Sequence, residues 1–409
     1  MKKILPLLIS FFLFHSLVAQ HPADSIRNEP DCNLRLSLLT CTPGTELYST
    51  FGHSAIRVID SSGKTDIIFN YGTFDFEDPA FLVKFTRGKL LYFVSIDEFE
   101  NFLDQYNYEK RGITEQVLDL SCDAKKNLLI ALHDNAKEEN RYYKYDFVYD
   151  NCTTRIRDII FSSAKNQVDT KNIRPKDEIT FRNLIHEYLD RGNHYWSKLG
   201  IDILLGSPLD KKLSNSEAMF LPDYLLKAFD STLLNGKPLV TDKATILVST
   251  MPVNKPSPAS PFLLFTVFFL IIAILSFIKK TTDFFTFFDF ILFFLTGALG
   301  LLLLFMWFGT DHQTCRNNFN LIWAFPVHLV IVFFLFQKRY WLRYYFLVNA
   351  ILLLLLMLGW NWLPQEMNNA LLPVVGLLMF RSFILGLPKS LRRRDFATHK
   401  AGFPTTPTK

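Results

Sequence analysis

Cys152 carries the first chemical signal in this chain. It opens the run Cys152-Thr153-Thr154-Arg155-Ile156-Arg157-Asp158-Ile159-Ile160, in which Ile156, Ile159 and Ile160 fall at helical spacing. Asp150 or Asn151 stands where an N-cap belongs. A thiol in the first turn of a helix meets unpaired backbone N–H groups and the positive end of the helix dipole, and Arg155 and Arg157 add positive charge. All of these favour thiolate over thiol, the setting a cysteine nucleophile needs. A small buried hydrophobe or half of a disulfide is the ordinary alternative. Upstream, residues 145–149 interleave aromatic and β-branched side chains with Asp146 and predict a short extended run.

A thiol enzyme also needs a base beside the sulfur and a group that orients the base. His53 is the expected base. Its surroundings, Gly52-His53-Ser54-Ala55-Ile56-Arg57-Val58-Ile59, predict a strand with His53, Ala55 and Arg57 on one face. The alternative is a hydrogen-bonded strand histidine with no chemistry to do. Asn70, on the return strand over 66–71, is the expected orienting group; it could equally initiate the turn at Tyr71-Gly72.

The other histidines carry weaker signals. His133 falls on the polar side of a predicted helix beside Asp134, and His186-Glu187 lacks the second histidine of a zincin helix. His312 lies in a loop with Cys315 and is expected to face the active site rather than to bind metal. His328 falls within an apolar segment, where an ionisable group is either functional or buried in a bundle. Asp289 is expected at an interface. No Cys/His cluster has zinc-ligand spacing and no Gly-rich phosphate loop is present, so no metal or cofactor is expected.

The elements that must position these residues form an α+β arrangement. Strands are expected over 34–40, 52–59, 66–71, 88–95 and 115–120, with a hairpin turn at Ser61-Ser62-Gly63-Lys64. Helices are expected over 97–107 and 123–140.

Around this domain the composition changes sharply. Residues 1–19 hold two lysines, an apolar core and a small residue before Gln20, the pattern of a secretory signal peptide cleaved after Ala19. An exported soluble domain over 20–250 follows, then a stiff linker over 251–261 with Pro252, Pro256, Pro258 and Pro261. Beyond it lie five apolar segments, 262–278, 290–308, 321–336, 346–360 and 370–387, most of them near the ~20 residues a span requires. Lys279, Lys280, Lys338, Arg339, Arg343 and the six basic residues of the tail 388–409 stand on one side, against Arg316 alone on the other. This positive-inside pattern places the tail in the cytoplasm and the N-terminal domain in the periplasm, in agreement with export through the signal peptide. The formal net charge of +5 therefore belongs mostly to cytoplasmic loops and tail, and no nucleic-acid partner is expected. Five cysteines leave at least one thiol unpaired; Cys32, Cys41 and Cys122 could supply one disulfide, with Cys152 and Cys315 as candidate free thiols.

The stretches Phe51-Gly52-His53-Ser54-Ala55-Ile56-Arg57, Asn70-Tyr71-Gly72-Thr73-Phe74-Asp75-Phe76, Phe85-Thr86-Arg87-Gly88-Lys89-Leu90-Leu91-Tyr92 and Tyr149-Asp150-Asn151-Cys152-Thr153-Thr154-Arg155-Ile156-Arg157 resemble the Lnb-type lipoprotein N-acyltransferase family. So do residues 196–206, Phe220-Leu221-Pro222 and the stretch from Asp311-His312 to Asn320-Leu321-Ile322-Trp323. The resemblance implies a permuted papain-like exported domain, similar to NlpC-type peptidases and lecithin:retinol acyltransferase, followed by an all-α domain of five transmembrane helices. It implies Cys152 as nucleophile and His53 as base. The third polar group of such sites is often a second histidine, which this chain lacks between His53 and His133, so Asn70 stands in its place. Arg57, Tyr71, Asn151, Arg155 and His312 are expected to contact substrate, the two arginines through phosphate or, equally, through ordinary ion pairs.

The implied reaction moves an acyl chain from a phospholipid, through a thioester on Cys152, to the α-amine of a diacylglyceryl-cysteine lipoprotein. The partners would be membrane lipid, the phospholipid donor and the lipoprotein acceptor, at the inner membrane. A membrane-tethered NlpC-type wall peptidase or amidase on the same thiol site, and a non-catalytic envelope sensor, are the competing readings.

Overall fold

The computed structural model describes residues 32–164, 168–251, 259–278, 282–337 and 339–388. The expected signal peptide, the linker residues 252–258, Lys279, Lys280, Lys338 and the tail beyond 388 lie outside the described residues.

The strands are β1 (Leu34–Cys41), β2 (His53–Asp60), β3 (Thr65–Thr73), β4 (Leu91–Glu98), β5 (Ile113–Leu118), β6 (Tyr142–Lys144), β7 (Val168–Thr170), β8 (Thr232–Leu234), β9 (Lys237–Pro238) and β10 (Val240–Leu247). The N-terminal helices are α1 (Phe81–Thr86), α2 (Phe99–Tyr108), α3 (Cys122–Asn135), α4 (Cys152–Ala164), α5 (Phe181–Arg191), α6 (Tyr195–Leu204), α7 (Asn215–Ala218) and α8 (Pro222–Ser231). The C-terminal helices are α9 (Pro261–Leu275), α10 (Thr282–Phe308), α11 (His328–Ile331), α12 (Leu342–Leu358) and α13 (Leu372–Gly386).

A seven-stranded antiparallel sheet, ordered β10-β5-β1-β2-β3-β4-β6, organises the N-terminal domain. Its residues alternate between two cores, as the two-residue period of a strand requires. Leu36, Leu38, Ile56, Val58, Phe69 and Tyr71 face α3, α4 and α8. Leu39, Cys41, Ala55 and Ile68 face α2 through Phe102 and Tyr106. The five strands and two helices expected from the pattern are all present, with α3 ending at Asn135 rather than 140. Strand β10 escaped the pattern because its residues are mostly exposed and polar: an edge strand needs only backbone pairing with β5.

The run at 145–149 is a turn, not the expected extended segment. Asp146 and Asp150 exchange backbone hydrogen bonds of 3.0 Å, and Asp146 Oδ1 accepts from the N–H groups of Val148 and Tyr149 at 2.9 and 3.0 Å. An aspartate that satisfies the N–H groups two and three residues ahead closes the chain on itself and overrides the propensity of its aromatic neighbours. The turn delivers the chain directly into α4.

Beyond residue 259 the chain is helical and apolar. Residues 284–308 and 369–386 form helices long and apolar enough to cross a membrane, and three shorter apolar helices occupy 261–275, 328–337 and 342–358. The segment expected at 321–336 is α-helical only over His328–Ile331; a short 3-10 turn, Phe319–Ile322, opens it where the chain just ahead is tied to the N-terminal domain. Asn318 Nδ2 donates to Ile203 O at 2.8 Å and Asn320 Nδ2 to Asp202 O at 2.9 Å. Asp289, expected at an interface, is buried and paired with Arg381 at 2.7 Å, while His328 is buried with Nδ1 2.7 Å from the Tyr345 hydroxyl.

The two domains meet at a buried polar hub. The Asp202 carboxylate receives Arg182 Nη1 at 2.7 Å, His186 Nε2 at 2.8 Å and Asn368 Nδ2 at 2.8 Å. Gln365 Nε2 donates to Leu205 O at 3.1 Å, and Gly206 N–H to Thr314 O at 2.8 Å. Buried polar atoms are costly unless paired, so this saturated set holds the domains in one arrangement. His186, read from sequence as an incomplete metal motif, belongs to this hub.

Candidate active site

The N-cap of α4 is Asn151, and it is fully committed. Its Oδ1 accepts from Thr154 N–H at 2.9 Å, while Thr154 Oγ1 accepts from Asn151 N–H at 2.9 Å, a reciprocal cap. Asn151 Nδ2 donates to Phe147 O and Phe220 O at 2.7 and 2.9 Å. Ile156 and Ile160, both 0 % exposed, seat the helix against the sheet, contributing about 1.5–3 kcal/mol each. Cys152 is therefore held at a fixed N-terminus, at the edge of strands β2 and β3.

His53 begins β2, close enough to Cys152 for the two groups to act on each other's charge. Its Nε2 lies 2.6 Å from Asn70 Oδ1. An amide oxygen only accepts, so Nε2 carries the hydrogen, leaving Nδ1 for proton exchange with the thiol. Thr153 Oγ1 lies 3.7 Å from the sulfur, and the Ser54 backbone N–H helps to favour the thiolate.

Electrostatics single out this thiol. Burial pushes Cys41 and Cys315 each up to about 12. Burial acts on Cys152 in the same direction, yet the charge and hydrogen bond of His53, with Ser54 N–H and Thr153, bring it down to about 7. His53 is raised above its ordinary value: burial opposes its charge, but the Cys152 thiolate and Asn70 outweigh that cost. The two shifts point the same way, toward a thiolate on the buried Cys152 and a charged imidazole on the partly exposed His53.

Gly72, at φ +91°, takes a left-handed conformation that L side chains rarely adopt. A Cβ there would meet ordinary contacts, 3.6 Å from Cys152 Cβ, 3.6 Å from the Tyr145 ring and 3.9 Å from the Tyr143 hydroxyl. Tyr143 Oη is buried and has no hydrogen-bond partner among the described residues. Arg155 covers the Tyr143 ring at 3.6 Å while chelating Asp150 at 2.6 and 2.8 Å. Tyr143 and Tyr145 were not singled out from sequence, although Tyr142-Tyr143-Lys144-Tyr145 is an aromatic run directly upstream of the nucleophile.

The structure thus brings Cys152, His53 and Asn70 together. It gives the other expected site residues separate duties. Arg57 lies four residues along β2 from His53, about 13 Å away, and is paired with Asp66 at 2.6 Å and Glu115 at 3.4 Å. Tyr71 is 0 % exposed and its hydroxyl accepts from Asn135 at 3.0 Å. Asn151 caps α4, and Arg155 is held by Asp150. His312 lies with Nε2 3.0 Å from Phe85 O. Cys122 is disulfide-bonded to Cys32 across 90 residues, so Cys41 is a buried free thiol with Cys152 and Cys315. Among the described residues no three His, Cys, Asp or Glu side chains gather as a metal set.

Fold and site define an α+β domain built on a buried cysteine beside a partly buried histidine–asparagine pair and carried by an apolar helical domain. Residues 29–187 match the family model described as the Lnb N-terminal periplasmic domain, and residues 253–390 that described as the Lnb transmembrane domain. The chain belongs to the Lnb-type family: it is a membrane protein with a periplasmic N-terminal region. No curated protein and no solved structure matches it.

Proposed function

We propose that this protein is a lipoprotein N-acyltransferase of the inner membrane, a five-span protein with a permuted papain-like thiol domain in the periplasm and its C-terminus in the cytoplasm. The observation that carries the reading is the buried thiol of Cys152 at the capped start of α4, lowered by the charge of a His53 that Asn70 orients, in a domain locked onto a membrane domain.

In the first half-reaction the Cys152 thiolate attacks the ester carbonyl of a phospholipid. The carbon–sulfur bond forms and the carbon–oxygen bond breaks, while His53 gives its proton to the departing lysophospholipid oxygen. The transient oxyanion is received by the Cys152 N–H in the first turn of α4 and by the unpartnered Tyr143 hydroxyl. In the second, the neutral α-amine of a diacylglyceryl-cysteine attacks the thioester and gives a proton to His53. The carbon–nitrogen bond forms, the carbon–sulfur bond breaks, and the thiolate returns. Asn70 holds the imidazole in one tautomer through both halves.

The test is the mass of the N-terminal lipopeptide of a reporter lipoprotein in cells carrying the protein or its Cys152→Ala variant. The proposal requires one additional amide-linked acyl chain with the intact protein and none with the variant. Identical lipopeptides in both strains would remove lipoproteins as the substrate and favour a wall peptidase. Migration of an ester chain without net mass gain would show that the lipoprotein is its own donor.

A further inference from the structure

We infer that α1 with the loop before it is a lipid port, seated in the outer leaflet, through which a phospholipid acyl chain reaches Cys152; the inference rests on the acyl-donor half of the proposed function. Helix α1 is six residues long and buries none of them. Phe76, Leu82, Val83 and Phe85 are 68, 75, 62 and 51 % exposed, a cluster of large apolar side chains that a face turned to water does not favour.

The position of α1 says what covers this surface. Arg87 O accepts from Asp311 N–H at 2.9 Å, and Phe85 O lies 3.0 Å from His312 Nε2. Lys144 is bound to Asp311 at 2.8 Å. Asp311 comes three residues after Phe308, where the membrane-length helix α10 ends, next to the stacked pair Trp307 and Phe308. Aromatic residues at the end of a span mark the height of the headgroups. The apolar side chains of α1 are therefore pinned at the mouth of a span, with exposed Arg87 and Lys89 beside them for lipid phosphate.

From α1 an unbroken line of rings runs inward. Centroid separations are 6.0 Å for Phe85–Phe81, 6.0 Å for Phe81–Phe74, 5.1 Å for Phe74–Tyr92 and 4.3 Å for Tyr92–Tyr145. Tyr145 ends the line beside Gly72, which also neighbours Cys152. The rings give an acyl chain apolar contact from the leaflet to the thiol, while its ester arrives between Cys152 and Tyr143.

The experiment compares full-length wild type with the Leu82→Asp/Phe85→Asp double variant in phosphatidylethanolamine–phosphatidylglycerol vesicles. It reads S-acylation of Cys152 from vesicle lipid and, separately, the acylation burst with water-soluble p-nitrophenyl acetate. The port predicts that the variant loses about 10- to 100-fold in lipid acylation and keeps the burst. Equal loss of both, or loss of neither, overturns it. Leu82→Trp supplies a readout free of the chemistry: its added fluorescence must be quenched by lipids brominated near the headgroup, and absence of quenching overturns the port. A wild type that shows the burst and the quenching but takes no acyl group from vesicles would retire phospholipid as donor, and with it the port as a route for its chain.

Discussion

His53 Nε2 lies 2.6 Å from Asn70 Oδ1, across the β2–β3 pair. This contact decides which ring nitrogen faces the sulfur, because an amide oxygen accepts only and so fixes the hydrogen on Nε2. Asn70→Ala is expected to lower the acylation rate about 10²-fold while KM for the ester changes little. Asn70→Asp keeps an acceptor in place and should recover part of the loss. Stopped-flow acylation with a soluble ester measures both variants.

The thiol sets the second expectation. With Cys152 at about 7, its thiolate forms as pH rises through that value and is lost below it. Iodoacetamide labelling of Cys152 should follow a single curve with its midpoint near 7, while Cys41 and Cys315, held up by burial, stay unlabelled in the folded protein. In His53→Ala burial remains and the cationic partner is gone, so the midpoint must move upward. Labelling followed by peptide mass mapping reads all three thiols.

Tyr143→Phe removes one oxygen atom that has no hydrogen-bond partner among the described residues. It should slow acylation about 10²-fold and leave iodoacetamide labelling of Cys152 unchanged, since alkylation passes through no oxyanion. A parallel fall in both would show that Tyr143 acts on the thiol rather than on the carbonyl oxygen.

The hub at Asp202 makes a prediction about stability. Asp202→Ala strips a buried charge from Arg182 and His186 and should cost about 3–5 kcal/mol. Arg182 keeps Asp210 at 2.8 Å, which limits the loss. Thermal unfolding in detergent, with limited proteolysis between the domains, would show the two parts separating before the sheet melts.

Much of this site was legible in the sequence because its order is local. A strand pattern around His53, its hairpin partner carrying Asn70, and a capped helix opening on Cys152 are short-range signals, and the sheet brings their ends together. The distant partners of Arg57, Tyr71 and Asn151 were not legible. Glu115 reaches Arg57 from β5, Asn135 reaches Tyr71 from α3, and Phe220 accepts from Asn151 across 69 residues. Such partners are set by packing, and nothing in the local pattern announces them. The turn at 146–150 failed for the opposite reason: one aspartate side chain outweighed a propensity spread over its neighbours.

The central claim is that an acyl group passes through Cys152. The most direct test is the intact mass of the full-length protein exposed first to phospholipid vesicles and then to a synthetic diacylglyceryl-cysteine peptide. The account predicts a hydroxylamine-labile acyl adduct on Cys152, which disappears as the peptide gains the same acyl mass in a hydroxylamine-resistant amide. Peptide acylation that proceeds equally well in Cys152→Ser, or a thiol that never carries an acyl group while the peptide stays unchanged, would contradict it.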